Sequence, residues 1–437
     1  MKIFLSLSLL CTSLAVNAQK SVLINNVQIF NGKDENTTVG NILIEDNLIK
    51  TISSSKIAVD KSATIIDGKG KFAMPGLIDA HSHTMMESMS LQMMQVADMG
   101  YINLFAAHAA EKQLLRGFTT VRDLGGASLS LKKAIDQHLT SGPRIYPSGA
   151  TISQTGGHGD FGLPTDVPRD GSLSYIERGG MTIVADGGDQ VLKRTREQLR
   201  NGATQIKLMA GGGVASEYDP LDVSQYTEEE FKAAVSAAEN WGTYVTVHAY
   251  TPKAIQAAIK SGVKCIEHGQ LVDEETVKLI SEQKIWWCMQ PFLDDEDAIP
   301  FPEGSANRAK QLEMTKGTDN AYKLAKKYNV KLAWGTDCLF DARLATRQGA
   351  QLTKMTKWFS PFEVLKMATS TNAELLALSG RRNPYPQPLG VITEGAYADL
   401  IIVDGNPLTN IKLIENPESN FKVIMKDGIV FKNTLND

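Results

Sequence analysis

The chain has 437 residues, 42% of them hydrophobic and 22% charged, with a formal net charge of −4. These are ordinary values for a globular protein, and the length suffices for a large barrel plus a second, smaller unit. The mild acidity and the lack of a long basic run exclude nucleic acid and an anionic membrane surface as expected partners.

The first segment differs in character from the rest. Lys2 precedes the mostly apolar run Ile3 to Val16, and Val16-Asn17-Ala18 stands before Gln19 as a Val-x-Ala variant of a small-residue cleavage site. Residues 1–18 read as a secretory signal peptide, too short for a membrane anchor, so a secreted or periplasmic protein is expected. Leu10 precedes Cys11 where a lipoprotein site would need a small residue, which argues for export without a lipid anchor. No later segment reaches the roughly 18 consecutive apolar residues of a membrane helix. Past the signal three cysteines remain, Cys265, Cys288 and Cys338. So sparse and odd a set is no disulfide framework; buried thiols are expected, with a single bridge left open.

From Ser21 to Ile66 the pattern is β: Val22-Leu23-Ile24, Asn41-Ile42-Leu43-Ile44 and Thr64-Ile65-Ile66, separated by Asn/Gly/Asp turns. The far end looks alike, with Asp399 to Val403 and Phe421 to Met425 before a Lys426-Asp427-Gly428 turn. Residues 19–73 and 386–437 therefore make one small sheet domain from both chain ends, flanking residues 74–385. There, short apolar strands alternate with helical stretches such as Glu228 to Asn240 and Pro252 to Lys260, the signature of βα units. Strands are placed at Leu77–His81, Thr119–Arg122, Ile145–Ser148, Thr204–Leu208, Tyr244–His248, Lys264–Glu267, Ile285–Met289 and Lys331–Trp334. Eight of them predict an α/β fold, a (β/α)8 TIM-like barrel with its chemistry at the strand C-terminal ends. Gly211-Gly212-Gly213 lacks the spacing of a dinucleotide turn and follows the fourth strand, so no nucleotide site is expected.

Those strand ends are polar in a consistent way. Pro75-Gly76-Leu77-Ile78-Asp79-Ala80-His81-Ser82-His83 puts two imidazoles side by side, because residues two apart in a strand share a face. Two neutral imidazoles so held suit a borderline metal such as zinc. Lys207 sits in an apolar strand, where an ammonium is costly unless paired, neutral or modified. The fifth strand ends with His248 and Tyr250 on one face, the sixth with Glu267-His268-Gly269, and the eighth with Gly335-Thr336-Asp337. Each has a bland account alone: an exposed strand-end Lys, a hydrogen-bonded core His, a loop-starting Asp. Together they read as a metal site. Arg122 and Asp123 are expected to form a structural ion pair, and His108 and His138 fall in helical stretches without a catalytic role.

At this point the chain resembles the amidohydrolase superfamily, within it the imidazolonepropionase-like branch that includes prolidase-type (Xaa-Pro) dipeptidases. The resemblance spans nearly all of the chain past the signal and rests on Gly117 to Gly125, Thr155-Gly156-Gly157-His158-Gly159, Ile266-Glu267-His268-Gly269 and Gly395 to Leu400. It implies a small β-sandwich beside the barrel and a binuclear centre. His81, His83 and Asp337 would hold one metal, His248 and His268 the other, and Lys207 would bridge them as an N-carboxylated lysine. Two divalent ions are implied, zinc suiting four imidazoles, with manganese and cobalt as alternatives. A bridging hydroxide would attack the substrate, with Asp337 as proton shuttle. The resemblance further implies substrate contacts by His158 and Tyr250, for which the bland readings are a loop-capping His and a packed Tyr, and a homo-oligomer. Loops Asp160–Ser174 and Phe292–Asn307 are expected to wall the pocket, with Asp294 to Asp297 read as a solvated acidic stretch. Three functions stay in play: an exported Xaa-Pro dipeptidase; a hydrolase of cyclic amides, lactones or other non-peptide amides; and a metal- or carbohydrate-binding export protein without catalysis. Retention of a candidate proton shuttle argues against the third.

Overall fold

Residues 21–169 and 171–436 are described in the computed structural model; the expected signal peptide and its cleavage site lie outside them. The amino-terminal part forms β1 (Ser21–Ile29), β2 (Thr38–Glu45), β3 (Leu48–Ser53), β4 (Thr64–Asp67) and β5 (Phe72–Pro75). Ten further strands follow: β6 (Leu77–Ser82), β7 (Phe118–Asp123), β8 (Arg144–Pro147), β9 (Thr151–Ser153), β10 (Thr182–Val184), β11 (Ile206–Met209), β12 (Val245–Ala249), β13 (Cys265–His268), β14 (Trp286–Met289) and β15 (Leu332–Trp334). The carboxy-terminal part supplies β16 (Leu400–Val403), β17 (Phe421–Lys426) and β18 (Ile429–Asn433).

Both chain ends meet in one eight-stranded sheet, ordered β18-β17-β16-β5-β1-β2-β3, with β4 also paired to β1. β1 changes partner along its length: Val22–Asn25 runs parallel to β4, and Gln28 and Ile29 run parallel to β5. This sheet buries its own core, including Ile24, Ile42, Leu400 and Val423.

All eight expected barrel strands are present within one or two residues, and the helices Glu228–Asn240 and Pro252–Lys260 coincide with their expected bounds. The strands run parallel in two arcs, β6-β7-β8 and β9-β11-β12-β13-β14-β15, with β10 added on β9. β8 and β9 are two pieces of the third barrel strand, broken at residues 148–150; the first piece pairs with β7 and the second with β11. Neither β9 (Thr-Ile-Ser) nor β10 (Thr-Ile-Val) is visible in the apolar pattern, because neither is apolar throughout as the equally short β15 (Leu-Ala-Trp) is. Trp287 and Trp334 are fully buried in the barrel core among Leu77, Phe118, Ile206 and Val247.

Closure between β15 and β6 is made largely by side chains. Asp79 accepts from the backbone N–H of His81 and of Thr336, each at 3.0 Å, and from the Thr336 hydroxyl at 2.5 Å. The Asn372 amide donates to Ile78 O at 2.7 Å and Trp334 O at 2.8 Å, stitching the two strands. Gly335 backs directly on His81; a Cβ there would meet His81 N and Cβ at 2.4 Å. These contacts hold His81 and Asp337 at one closed seam. Among the described residues no helix is long and apolar enough to cross a membrane.

Candidate metal centre

The strand C-terminal ends bring six of the expected site residues around one small cavity, lined by His81, His83, Lys207, His248, His268 and Asp337. Asp337 Oδ1 lies 3.2 Å from His81 Nε2 and 3.1 Å from His83 Nε2. Its Oδ2 is 4.0 Å from His268 Nδ1. Ring centroids run in a chain, His83 to His81 at 5.3 Å, His81 to His268 at 4.8 Å and His268 to His248 at 4.5 Å. His268 and Asp337 both adopt left-handed backbone, with φ of 75° and 51°. Such conformations cost energy in non-glycine residues and here turn each side chain into the site, His268 at the end of β13 and Asp337 past the end of β15.

Three of the imidazoles have one nitrogen occupied by an acceptor outside the cluster. His81 Nδ1 meets Glu267 Oε2 at 2.9 Å, His268 Nδ1 meets Gln290 Oε1 at 2.7 Å, and His248 Nε2 meets Gly212 O at 3.0 Å. This is the arrangement that fixes the tautomer of metal-binding histidines, leaving the other nitrogen for an ion. His81 Nε2 and His83 Nδ1 are buried and make no hydrogen bond. Burial, reinforced by His158, His268 and Lys207, holds the His248 imidazole well below its usual range; against the pull of Asp337, burial also holds His268 well below that range and lowers His83. Burial opposes ionisation of Asp337, but His81, His83 and His268 outweigh it and hold its carboxyl well below the usual range. Burial pushes the Lys207 amine down, opposed by Glu267 and Asp337. Neutral imidazoles and an ionised carboxylate are the forms that bind a divalent cation, so these residues fit one. A second group within ligand range, His81, Glu267 and Cys288, does not. Both Glu267 oxygens are already hydrogen-bonded, and burial pushes the Cys288 thiol well up.

His158 and Tyr250 border the same centre. The His158 ring stacks on His248 at 4.0 Å, and Tyr250 lies 4.9 Å from His248 and 5.2 Å from His268. His158 Nδ1 is held by Ser216 Oγ at 2.7 Å and by Asp219 Oδ2 at 3.5 Å. Gly213 lets this happen, since a Cβ there would sit 1.9 Å from the His158 ring. Above them lies a cavity that opens toward solvent. Its walls are mostly apolar, with Val214, Phe292, Leu293, Ile299, Met314 and Leu344 prominent.

Several expectations need correction. Arg122 pairs with Glu267 at 2.7 Å, while Asp123 accepts from the Thr84 and Gly125 backbone, so the expected Arg122–Asp123 pair does not form. The reason is alternation: consecutive strand residues point to opposite faces. Loop 292–307 does wall the cavity above the site, but most of 160–174 borders a separate surface cleft; of the described residues in 160–174, Phe161 reaches the metal-side cavity. The acidic stretch is not simply solvated. Asp297 is buried against Arg347 and Lys354, and Lys354 also lies 2.7 Å from Asp295. Asp79, Glu267, Gln290 and Asp219 support the site without having been singled out. Glu267 lies in the Ile266-Glu267-His268-Gly269 motif and Asp79 in the Pro75 to His83 stretch, but neither pattern gave either residue a partner. Cys265, Cys288 and Cys338 are buried free thiols, and His108 and His138 are exposed.

The amidohydrolase family model matches residues 72–431. Ochratoxinase of Aspergillus niger is 32% identical over 391 residues, covering 82% of this chain and 75% of the relative. A prolidase crystallised with N-methylphosphonate-L-proline is 32% identical, with a TM-score of 0.85 over 95% of this chain and 100% of its own. A Xaa-Pro dipeptidase with methionine bound in its active site is 30% identical, with a TM-score of 0.81 over 95% and 100%. The geometry of the barrel mouth and these likenesses agree: the chain belongs to the amidohydrolase family and is a hydrolase acting on C–N bonds.

Proposed function

We propose that this chain is an exported binuclear-metal dipeptidase of the prolidase type, cleaving the bond before a C-terminal proline. The observation that carries the reading is the convergence of four imidazoles, Lys207 and Asp337 at one barrel mouth. The prolidase and Xaa-Pro dipeptidase likenesses support the substrate class. In this reading His81, His83 and Asp337 would hold one ion and His248 and His268 the other, with Lys207, once carboxylated, as a further anionic ligand beside them. Zinc suits the imidazole-rich set.

Two such ions supply an acidified water as nucleophile and a Lewis acid for the scissile carbonyl. The remaining steps belong to the side chains. Asp337 turns Oδ1 toward His81 and His83, which leaves Oδ2 to accept the proton of the attacking water and return it to the leaving nitrogen. A buried Lys207 with a depressed pKa exposes a free amine pair, which adds to CO2 with loss of one proton. The product carbamate is an anion able to serve two cations where an ammonium would repel them. His158, held through Nδ1 by Ser216 and Asp219, turns its other edge to the substrate, with Tyr250 beside it. Their role is to orient the substrate carbonyl or carboxylate.

A second reading is hydrolysis of a non-peptide or cyclic amide or a lactone. The ochratoxinase likeness and the apolar wall of the cavity above the site favour it, since such a wall suits the ring or aryl group of a non-peptide amide. Release of amino acid from a broad dipeptide panel by zinc-supplemented protein separates the two. Turnover confined to C-terminal proline supports the first. Silence on every dipeptide with turnover of non-peptide amides or lactones supports the second, and silence on all substrates with metals loaded defeats both.

A further inference from the structure

We propose that Arg122 and Glu267 are positioning residues that fix the tautomer and ring plane of His81, so that Nε2 is the nitrogen offered to a metal ion. This rests on the reading of His81 as a ligand. All three residues are fully buried. Glu267 Oε2 faces His81 Nδ1 at 2.9 Å, and its Oε1 accepts from Arg122 Nη2 at 2.7 Å and from the Thr246 hydroxyl. Arg122 in turn donates through Nε to the carbonyl of Ala80 at 2.6 Å, the peptide joined to His81, and through Nη1 to Tyr244 Oη at 3.1 Å. One guanidinium thus holds both the carboxylate that grips the ring and the backbone that carries it.

The strand geometry makes the arrangement possible. Glu267 and His268 are consecutive, and a regular strand would send them to opposite faces. The left-handed backbone at His268 breaks the alternation, so both side chains reach His81. A neutral imidazole carries one N–H, and two carboxylates compete for it. Glu267 lies at 2.9 Å from Nδ1 and Asp337 at 3.2 Å from Nε2. Were Asp337 to win, the proton would cover the nitrogen that must bind the ion. Gln290 Nε2 approaches the same Nδ1 at 3.3 Å, but that amide contact is longer and weaker than the charge-assisted one. Glu267 takes the N–H, and Arg122 compensates its buried charge.

Glu267→Gln and the milder Thr246→Val test this in the full chain. Zinc affinity is read by competition with a chelator, and the protonated nitrogen of His81 by nitrogen-15 NMR, assigned with His81→Asn. We expect Nδ1–H in the wild type, a roughly 10- to 100-fold weaker zinc site in Glu267→Gln, and a smaller loss in Thr246→Val. A purely structural ion pair would lower the melting temperature and leave zinc affinity of the folded protein unchanged. That result, or a wild-type proton on Nε2, overturns the proposal. If Glu267→Gln does not fold, Thr246→Val and the wild-type tautomer decide. Wild-type protein that binds no zinc defeats the ligand reading itself, and the tautomer still decides this one.

Discussion

Replacing Gly335 by alanine probes the seam on which the candidate centre is built. A methyl there would lie 2.4 Å from His81 N and Cβ and 2.8 Å from its Cα. Ordinary carbon contacts begin near 3.5 Å, so β6 and β15 must part by about 1 Å. His81 cannot simply swing away, because Asp79, Asn372 and the Asp337 N–H to His81 O bond of 2.8 Å tie the two strands. Overpacking of this kind costs about 1–3 kcal/mol. The smaller chain entropy of alanine in the unfolded state returns about 0.4–1 kcal/mol. A net loss of about 1–2 kcal/mol is expected, or roughly 1–2 °C in melting temperature for a chain of this size. The functional effect should be larger, because a displacement of about 1 Å between His81 and Asp337 cuts turnover roughly 100-fold. Melting by circular dichroism and kcat on the substrate found in the amide panel measure both. Wild-type kcat within twofold and an unchanged melting temperature would refute the claim that this contact sets the site.

Lys207→Ala should lose one bound ion per chain and nearly all turnover, with partial recovery on adding a short-chain carboxylic acid; full activity without rescue would contradict the bridging role. Glu177 gives a pH test away from the centre. Burial raises its pKa, but the amides of Val184 and Ser174, the Ser174 hydroxyl and Arg169 outweigh it and hold the carboxyl below its usual value. A depressed folded-state pKa stabilises fully above the unfolded value near 4.5 and loses that contribution as pH falls through the lower folded value. Wild type should therefore exceed Glu177→Gln in melting temperature at pH 7, with the gap closing below about pH 4.5; a gap that grows on acidification would show the sign to be wrong. The proposed export predicts a mature protein that begins at Gln19, and intact-mass spectrometry showing residues 1–18 retained would contradict it.

The barrel was legible because its strands are short apolar runs that alternate with helical stretches, and because period-2 alternation forces His81 and His83 onto one face. Both pieces of the terminal sheet were legible for the same reason. What remained hidden depends on distances across the barrel. Glu267 and Arg122 are 145 positions apart in the chain, and no local pattern says that they meet. Arg122 beside Asp123 suggested a pair that alternation forbids. Asp79 looked like one more residue of an apolar strand, yet it closes β6 onto β15. Asp297 reads as part of an acidic run until Arg347 and Lys354 are seen on either side of it. The break at 148–150 was invisible because its consequence, a change of neighbour from β7 to β11, exists only in the folded sheet.

The central claim is that the barrel mouth holds two catalytic ions, and metal analysis joined to reversible chelation tests it most directly. Purified protein should carry about two divalent ions per chain, lose activity as they are stripped, and regain it in step with readdition of zinc. Full turnover by protein stripped of metal, or a folded wild type that takes up no ion, would contradict the account.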